Sequence, residues 1–253
     1  MGFITDLFDA DARKRNRVSS LTKKLQAKYG QSEDRNAAAD VLADMKTDEA
    51  WRGLVKRFSV TVDNHTHDQD EKQHVSDLLL EIGAPVLPIL QEYLARDKEV
   101  SWALRTLRRM VGLEKWVDIV LATIDGKTSE DTDSDKLVQI LRELHDQKDT
   151  RVPIAVARFL EDLDDTVRFA AIETLSTIDA EESRAPMLAA LTRPDEESQR
   201  VRHRILELFR DRGWEVKGFR KAVEDRLPEG WYLDREGHIK QLAAGAKSPP
   251  VDE

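Results

Sequence analysis

Through most of this chain, apolar residues recur at spacings of three, four and seven, the stripe of a helix buried along one side. Val75, Leu78, Leu79 and Ile82 form one stripe, and Val86, Leu90 and Leu94 form a second just after it. The same succession recurs with Ala103, Leu107 and Met110 before Trp116, Val120 and Ile124, and with Leu137, Leu141 and Leu144 before Val152 and Leu160. It recurs again with Ile205, Leu206 and Phe209 before Phe219, Val223 and Leu227. Two segments fix the register: Arg35-Asn36-Ala37-Ala38-Ala39-Asp40-Val41-Leu42 lies over Arg168-Phe169-Ala170-Ala171-Ile172-Glu173-Thr174-Leu175 at an offset of 133 residues, without a gap. At the same offset Met45 meets Ile178, Leu54 meets Met187 and Phe58 meets Leu191, so two helices and their turn are duplicated together. Leu42, Leu79, Leu107, Leu141, Leu175 and Leu206 then mark six units, at steps of 37, 28, 34, 34 and 31 residues.

The punctuation agrees. Thr47 before Asp48 and Glu49 reads as a helix cap with acids on the positive end of the helix. Gly83 stops one helix and Pro85 suits the first turn of the next, with Gly112 and Gly213 at similar junctions. Short junctions predict antiparallel pairs. The segment Asp149-Thr150-Arg151-Val152 through Arg158-Phe159-Leu160-Glu161-Asp162, continued by Asp165-Thr166-Val167-Arg168-Phe169-Ala170-Ala171, resembles the short HEAT-like repeats of bacterial proteins, the PBS-lyase type. The resemblance spans roughly residues 31–227. It implies an all-α fold, an armadillo-type α-solenoid of about six antiparallel helix pairs, with Asp165 and Arg168 as structural ladder residues that tie neighbouring units together. A tetratricopeptide array would fit the period, but its Trp, Gly and Tyr positions are not filled.

Three segments fall outside the repeat. Residues 1–30 read as a basic N-terminal cap, built on an amphipathic helix over 11–29 with Val18, Leu21, Leu25 and Tyr29 on its apolar face. Residues 228–242 read as a small hairpin, with Trp231-Tyr232-Leu233 turning through Asp234-Arg235-Glu236-Gly237 into His238-Ile239, covering the open edge of the last pair. Residues 243–253 read as a disordered tail.

Composition narrows the function. The 253 residues contain no cysteine, which excludes disulfides, thiolate nucleophiles and cysteine-ligated metals. No run approaches the roughly 20 apolar residues of a membrane span. The start lacks the order of a secretory signal, and Asp6 stands where a myristoylation pattern wants Ser or Thr. The reading is a cytoplasmic protein. Its net charge of −9 is uneven: residues 1–30 carry +4 and the remainder −13, an acidic body that disfavours nucleic acid.

Candidate chemistry is sparse. His65, His67, Asp70 and His74 form a polar cluster of metal-ligand types in what reads as an inter-helix loop, which gives one alternative, a metal-responsive regulator. HEAT-like alkylpurine DNA glycosylases suggest a second, with Trp102, Arg105, Arg108, Arg109, Lys115 and Trp116 imitating part of a basic, aromatic face. The paired His-Glu motifs of HEAT-like deoxyhypusine hydroxylases are not in the sequence, and nothing in it points to the bilin of the HEAT-like lyases. No phosphate-binding Gly loop or nucleophile elbow is found either. The leading expectation is a non-catalytic protein–protein interaction scaffold without cofactor, binding a partner through second-helix positions off the packing stripe: Trp51, Arg52, Lys56, Gln91 and Tyr93.

Overall fold

The structure, a computed structural model, describes residues 2–178 and 181–242. The segment read as a disordered tail, 243–253, lies outside the described residues. Backbone contacts divide the chain into two compact units, Met1–Ile124 and Asp125–Glu253, so the repeat region predicted over 31–227 is shared between them.

The first unit is α1 (Gly2–Leu25), α2 (Ser32–Asp44), α3 (Asp48–Val55), α4 (His65–Ile82), α5 (Leu87–Arg96), α6 (Ser101–Val111) and α7 (Leu113–Ile124). Helix α4 packs between α2 and α6, while α5 packs between α3 and α7, giving a layer of first helices and a layer of second helices. Helix α1 lies against both α2 and α3. In the second unit, α8 (Ser134–Leu144), α10 (Asp165–Ser176) and α12 (Gln199–Arg212) form one layer. There α9 (Arg151–Ala157), α11 (Glu181–Thr192) and α13 (Arg220–Glu224) form the other. Strands β1 (Trp231–Leu233) and β2 (Ile239–Gln241) pair antiparallel, with Trp231 opposite Gln241 and Leu233 opposite Ile239. The hairpin rests on α12 and α13.

The apolar stripes account for this packing. All six marker leucines are buried, none more than 1% exposed. Burial of such a side chain stabilises by about 1.5–3 kcal/mol. Thr47 caps α3 by accepting from the Ala50 N–H at 3.3 Å. Asn64 and Ser198 cap α4 and α12 in the same way.

Four features differ from the sequence reading. Helix α1 begins at Gly2 and ends at Leu25, so Tyr29 leaves the helical period and is 82% exposed rather than on the apolar face. Helices α4 and α5 turn through 112°, an oblique crossing instead of an antiparallel one, because the break is a single glycine, Gly83 at φ +76, running straight into a 3-10 turn over Ala84–Val86. Helices α3 and α9 tighten into 3-10 turns at Lys56–Ser59 and Arg158–Glu161. The last second helix, α13, is only five residues long. Among the described residues no single helix is long and apolar enough to cross a membrane, and α4 with α5 reaches that length only as the bent pair.

Candidate functional site

Of the five surface positions expected on the second helices, two belong to the core. Trp51 is 8% exposed, and its indole N–H donates to the Ala43 carbonyl at 3.4 Å. Tyr93 is 5% exposed, its ring meets Phe58 edge-on at 6.4 Å, and its hydroxyl donates to the Glu99 carbonyl. Burial, with the Asp97 charge, pushes the Tyr93 phenol well above its ordinary pKa. Both are therefore corrected from surface to packing positions. The reason is geometric: α3 packs against α1, α2 and α5 together, so its buried arc is wider than one stripe and takes in Ala50, Trp51, Gly53, Leu54 and Val55. Arg52, Lys56 and Gln91 are exposed. Arg52 reaches across to α5 and pairs with Glu92 at 3.1 Å.

Arg52 and Lys56 also border a groove. Helices α1 and α3 enclose a recess of about 330 Å³ lined by Val18, Ser19, Thr22, Lys23 and Gln26 on one side and Glu49, Arg52, Gly53 and Lys56 on the other. Gly53 sets how close the walls stand: a Cβ there would overlap the Thr22 hydroxyl and lie 3.6 Å from a Leu42 methyl. The sequence reading placed a basic face on the N-terminal helix and Arg52 and Lys56 on α3, without bringing the two together. Only the glycine, a residue that weakens a helix interior unless something approaches it closely, signals the contact.

The histidine cluster is not in a loop. His65, His67, Asp70 and His74 occupy the first turns of α4, where the helix rise spreads them apart, and they do not converge on a common point. His65, His67 and Asp70 are exposed, while His74 pairs with Asp40 of α2 at 2.7 Å. Among the described residues the three metal-ligand types that do approach one another are Asp234, Glu236 and His238 of the hairpin turn. There the Asp234 carboxylate accepts from the His238 backbone N–H at 2.8 Å and faces the His238 ring. These contacts belong to the turn itself.

The same stretch of α4 does carry a charged cluster, on its opposite, buried face. Glu71 accepts from the Arg35 Nε and Nη2 at 2.8 Å each, from the Arg57 Nε at 3.0 Å and from the Ser32 hydroxyl at 2.7 Å. Asp68 accepts from the Arg57 Nη2 at 2.8 Å, from the Lys72 ammonium at 2.6 Å and from the Val62 N–H. Arg57 is fully buried and Glu71 is 1% exposed. Burial alone would raise both carboxyl pKa values; the hydrogen bonds from Lys72 and Arg57 to Asp68, and from Arg35 and Ser32 to Glu71, outweigh it and hold both below the ordinary carboxylate range. The pattern holds a signal for these residues, since the Val75–Leu79 stripe extended backwards passes through Asp68, Glu71 and Lys72. They are core positions that happen to be charged.

In the second unit Asp165 and Arg168 both bond to the following pair. The Arg168 Nε and Nη2 donate to Glu196 at 2.8 and 2.9 Å, and its Nη1 donates to the Asp162 and Leu163 carbonyls. Asp165 accepts from the Ser198 hydroxyl at 2.8 Å and faces Arg200 at 3.4 Å. Of the nucleic-acid-like set, Trp116 is fully buried with its N–H on the Leu104 carbonyl, and Arg109 is paired with Asp77. Arg105 and Arg108 lie over the Trp102 and Trp116 rings.

No protein-family model, no curated protein and no solved structure matches this chain.

Proposed function

We propose that the protein is a non-catalytic interaction scaffold, each unit a short run of HEAT-like α-solenoid that presents its second helices to a protein partner. One observation carries the reading. Arg52 on α3, Lys56 in the 3-10 turn that ends it and Gln91 on α5 stand exposed on elements anchored by buried Trp51 and Tyr93. A backbone that is already ordered adds no ordering cost of its own on binding, which leaves only that of the side chains. Buried ion pairs, Arg35–Glu71 between α2 and α4 and Arg168–Glu196 from α10 to the loop before α12, tie successive pairs together.

The test is a photo-crosslinking residue at Gln91 in the native cell. A recurrent protein captured there, and lost in the Arg52→Ala/Lys56→Ala variant while the fold is retained, supports the reading. Failure to capture any protein, or capture indifferent to both alanines, overturns it.

A further inference from the structure

The α1–α3 groove has a composition that selects one kind of ligand. Lys23 and Lys56 line it from opposite walls, and neither has an ion-pair partner among the described residues. Arg52 is held over the same recess by Glu92. On α1 the lining residues Ser19, Lys23 and Gln26 follow the helical spacing, and one further step back along that stripe reaches exposed Arg15. Three cations thus line the recess, Lys23, Arg52 and Lys56, against one lining carboxylate, Glu49, and with Arg52 paired to Glu92 the two lysines supply its uncompensated charge, in a chain whose net charge is −9. Between the charges lie Ser19, Thr22 and Gln26, whose hydroxyl and amide groups can pair with a peptide backbone.

We propose that this groove docks an extended, Asp/Glu-rich segment of a protein partner. The inference rests on the scaffold reading and names the chemistry its surface recognises. Carboxylates spaced along an extended strand meet Lys23 on one wall and Lys56 on the other, while the hydroxyls and the Gln26 amide take up main-chain groups. A nucleic-acid strand fits less well. The lining contains no aromatic platform for a base, and the acidic remainder of the chain repels a long polyanion. An anionic bilayer needs a convex apolar face, whereas this site is a recess floored by Val18 and Gly53.

The probe is a fluorescein-labelled decapeptide of alternating Glu and Asp, followed by anisotropy at 50 mM and 300 mM salt. Saturable binding weakened by salt is expected, and Lys23→Glu with Lys56→Glu should weaken it at least tenfold. Arg17, exposed on the side of α1 opposite the lining residues by helical spacing, supplies the control, and Arg17→Glu should change binding by less than threefold. Gly53→Ala leaves every charge in place but pushes α1 away from α3, and should weaken binding in protein that keeps its helical circular dichroism; if that variant unfolds, the lysine pair still decides. Equal losses from Arg17→Glu and Lys23→Glu, tighter binding of decathymidylate or of phosphatidylserine vesicles, or no binding at 50 mM salt would each overturn the proposal. Capture from Gln91 without decapeptide binding would remove the acidic ligand and leave the scaffold standing; loss of both would remove both.

Discussion

Arg35 and Arg168 occupy the same position in two copies of the repeat, yet the carboxylates they hold come from different places. Each guanidinium forks onto one glutamate and sends its remaining Nη1 to two carbonyls of its own preceding loop, Ala27 and Gly30 in one case and Asp162 and Leu163 in the other. Glu71 sits on the next first helix, eight residues before its marker leucine; Glu196 sits in the loop ahead of that helix, ten before its own. The eighth position in the second copy is Ser198, which bonds Asp165, and Asp165 is the counterpart of Ser32, which bonds Glu71. Hydroxyl and carboxylate have changed sides. The geometry of the joint is kept while its charge is rearranged, and only the first unit adds Arg57 and a neighbouring Asp68–Lys72 pair beneath it. A repeat interface, then, constrains where a hydrogen bond crosses more tightly than which side supplies the proton.

That comparison predicts an unequal response to losing one carboxylate. Glu71→Gln leaves three buried cations against Asp68 alone and should destabilise by about 3–5 kcal/mol in urea denaturation. Glu196→Gln leaves Arg168 its two carbonyls and Arg193 its pair with Asp195, so a smaller loss of about 2–3 kcal/mol is expected. Equal losses would show that the extra charges of the first unit do not matter. Arg57→Met removes a fully buried cation but leaves Arg35–Glu71 and Lys72–Asp68 as two balanced pairs, so it should be milder than Glu71→Gln, about 1–2 kcal/mol by the same assay. Ser198→Ala, which deletes a cap and the bond to Asp165, should lose about 1 kcal/mol.

The last difference is silent at neutral pH. Because the Asp68 and Glu71 carboxyls are held low in the folded state, their contribution is complete above the unfolded carboxyl range of about 4 and is lost as pH falls through the lower folded values. The melting temperature should fall below pH 4, and less steeply in Glu71→Gln than in the wild-type protein.

The helices were legible because period, caps and the 133-residue duplication all report local spacing. Arg168 was singled out only through the resemblance its segment carries, and the structure bonds it to Glu196. Its partner was not, since Glu196 lies 28 residues away in a connection of variable length. Arg57 was hidden differently. It follows Lys56 in a polar pair, and the 3-10 turn over Lys56–Ser59 advances about 120° per residue instead of 100°, which disrupts the stripe on which burial would be read. Trp51 and Tyr93 read as surface anchors because a single helix cannot announce how many neighbours will cover it.

Arg57 also gives the molecule a native spectroscopic reporter. Its guanidinium is sealed from water, with Nε on Glu71, Nη2 on Asp68 and Nη1 on the Val60 carbonyl at 2.6 Å. Side-chain N–H protons so enclosed exchange with solvent only when the surrounding structure opens. The rate at which they take up deuterium therefore times the breathing of the first unit, without any label having been introduced.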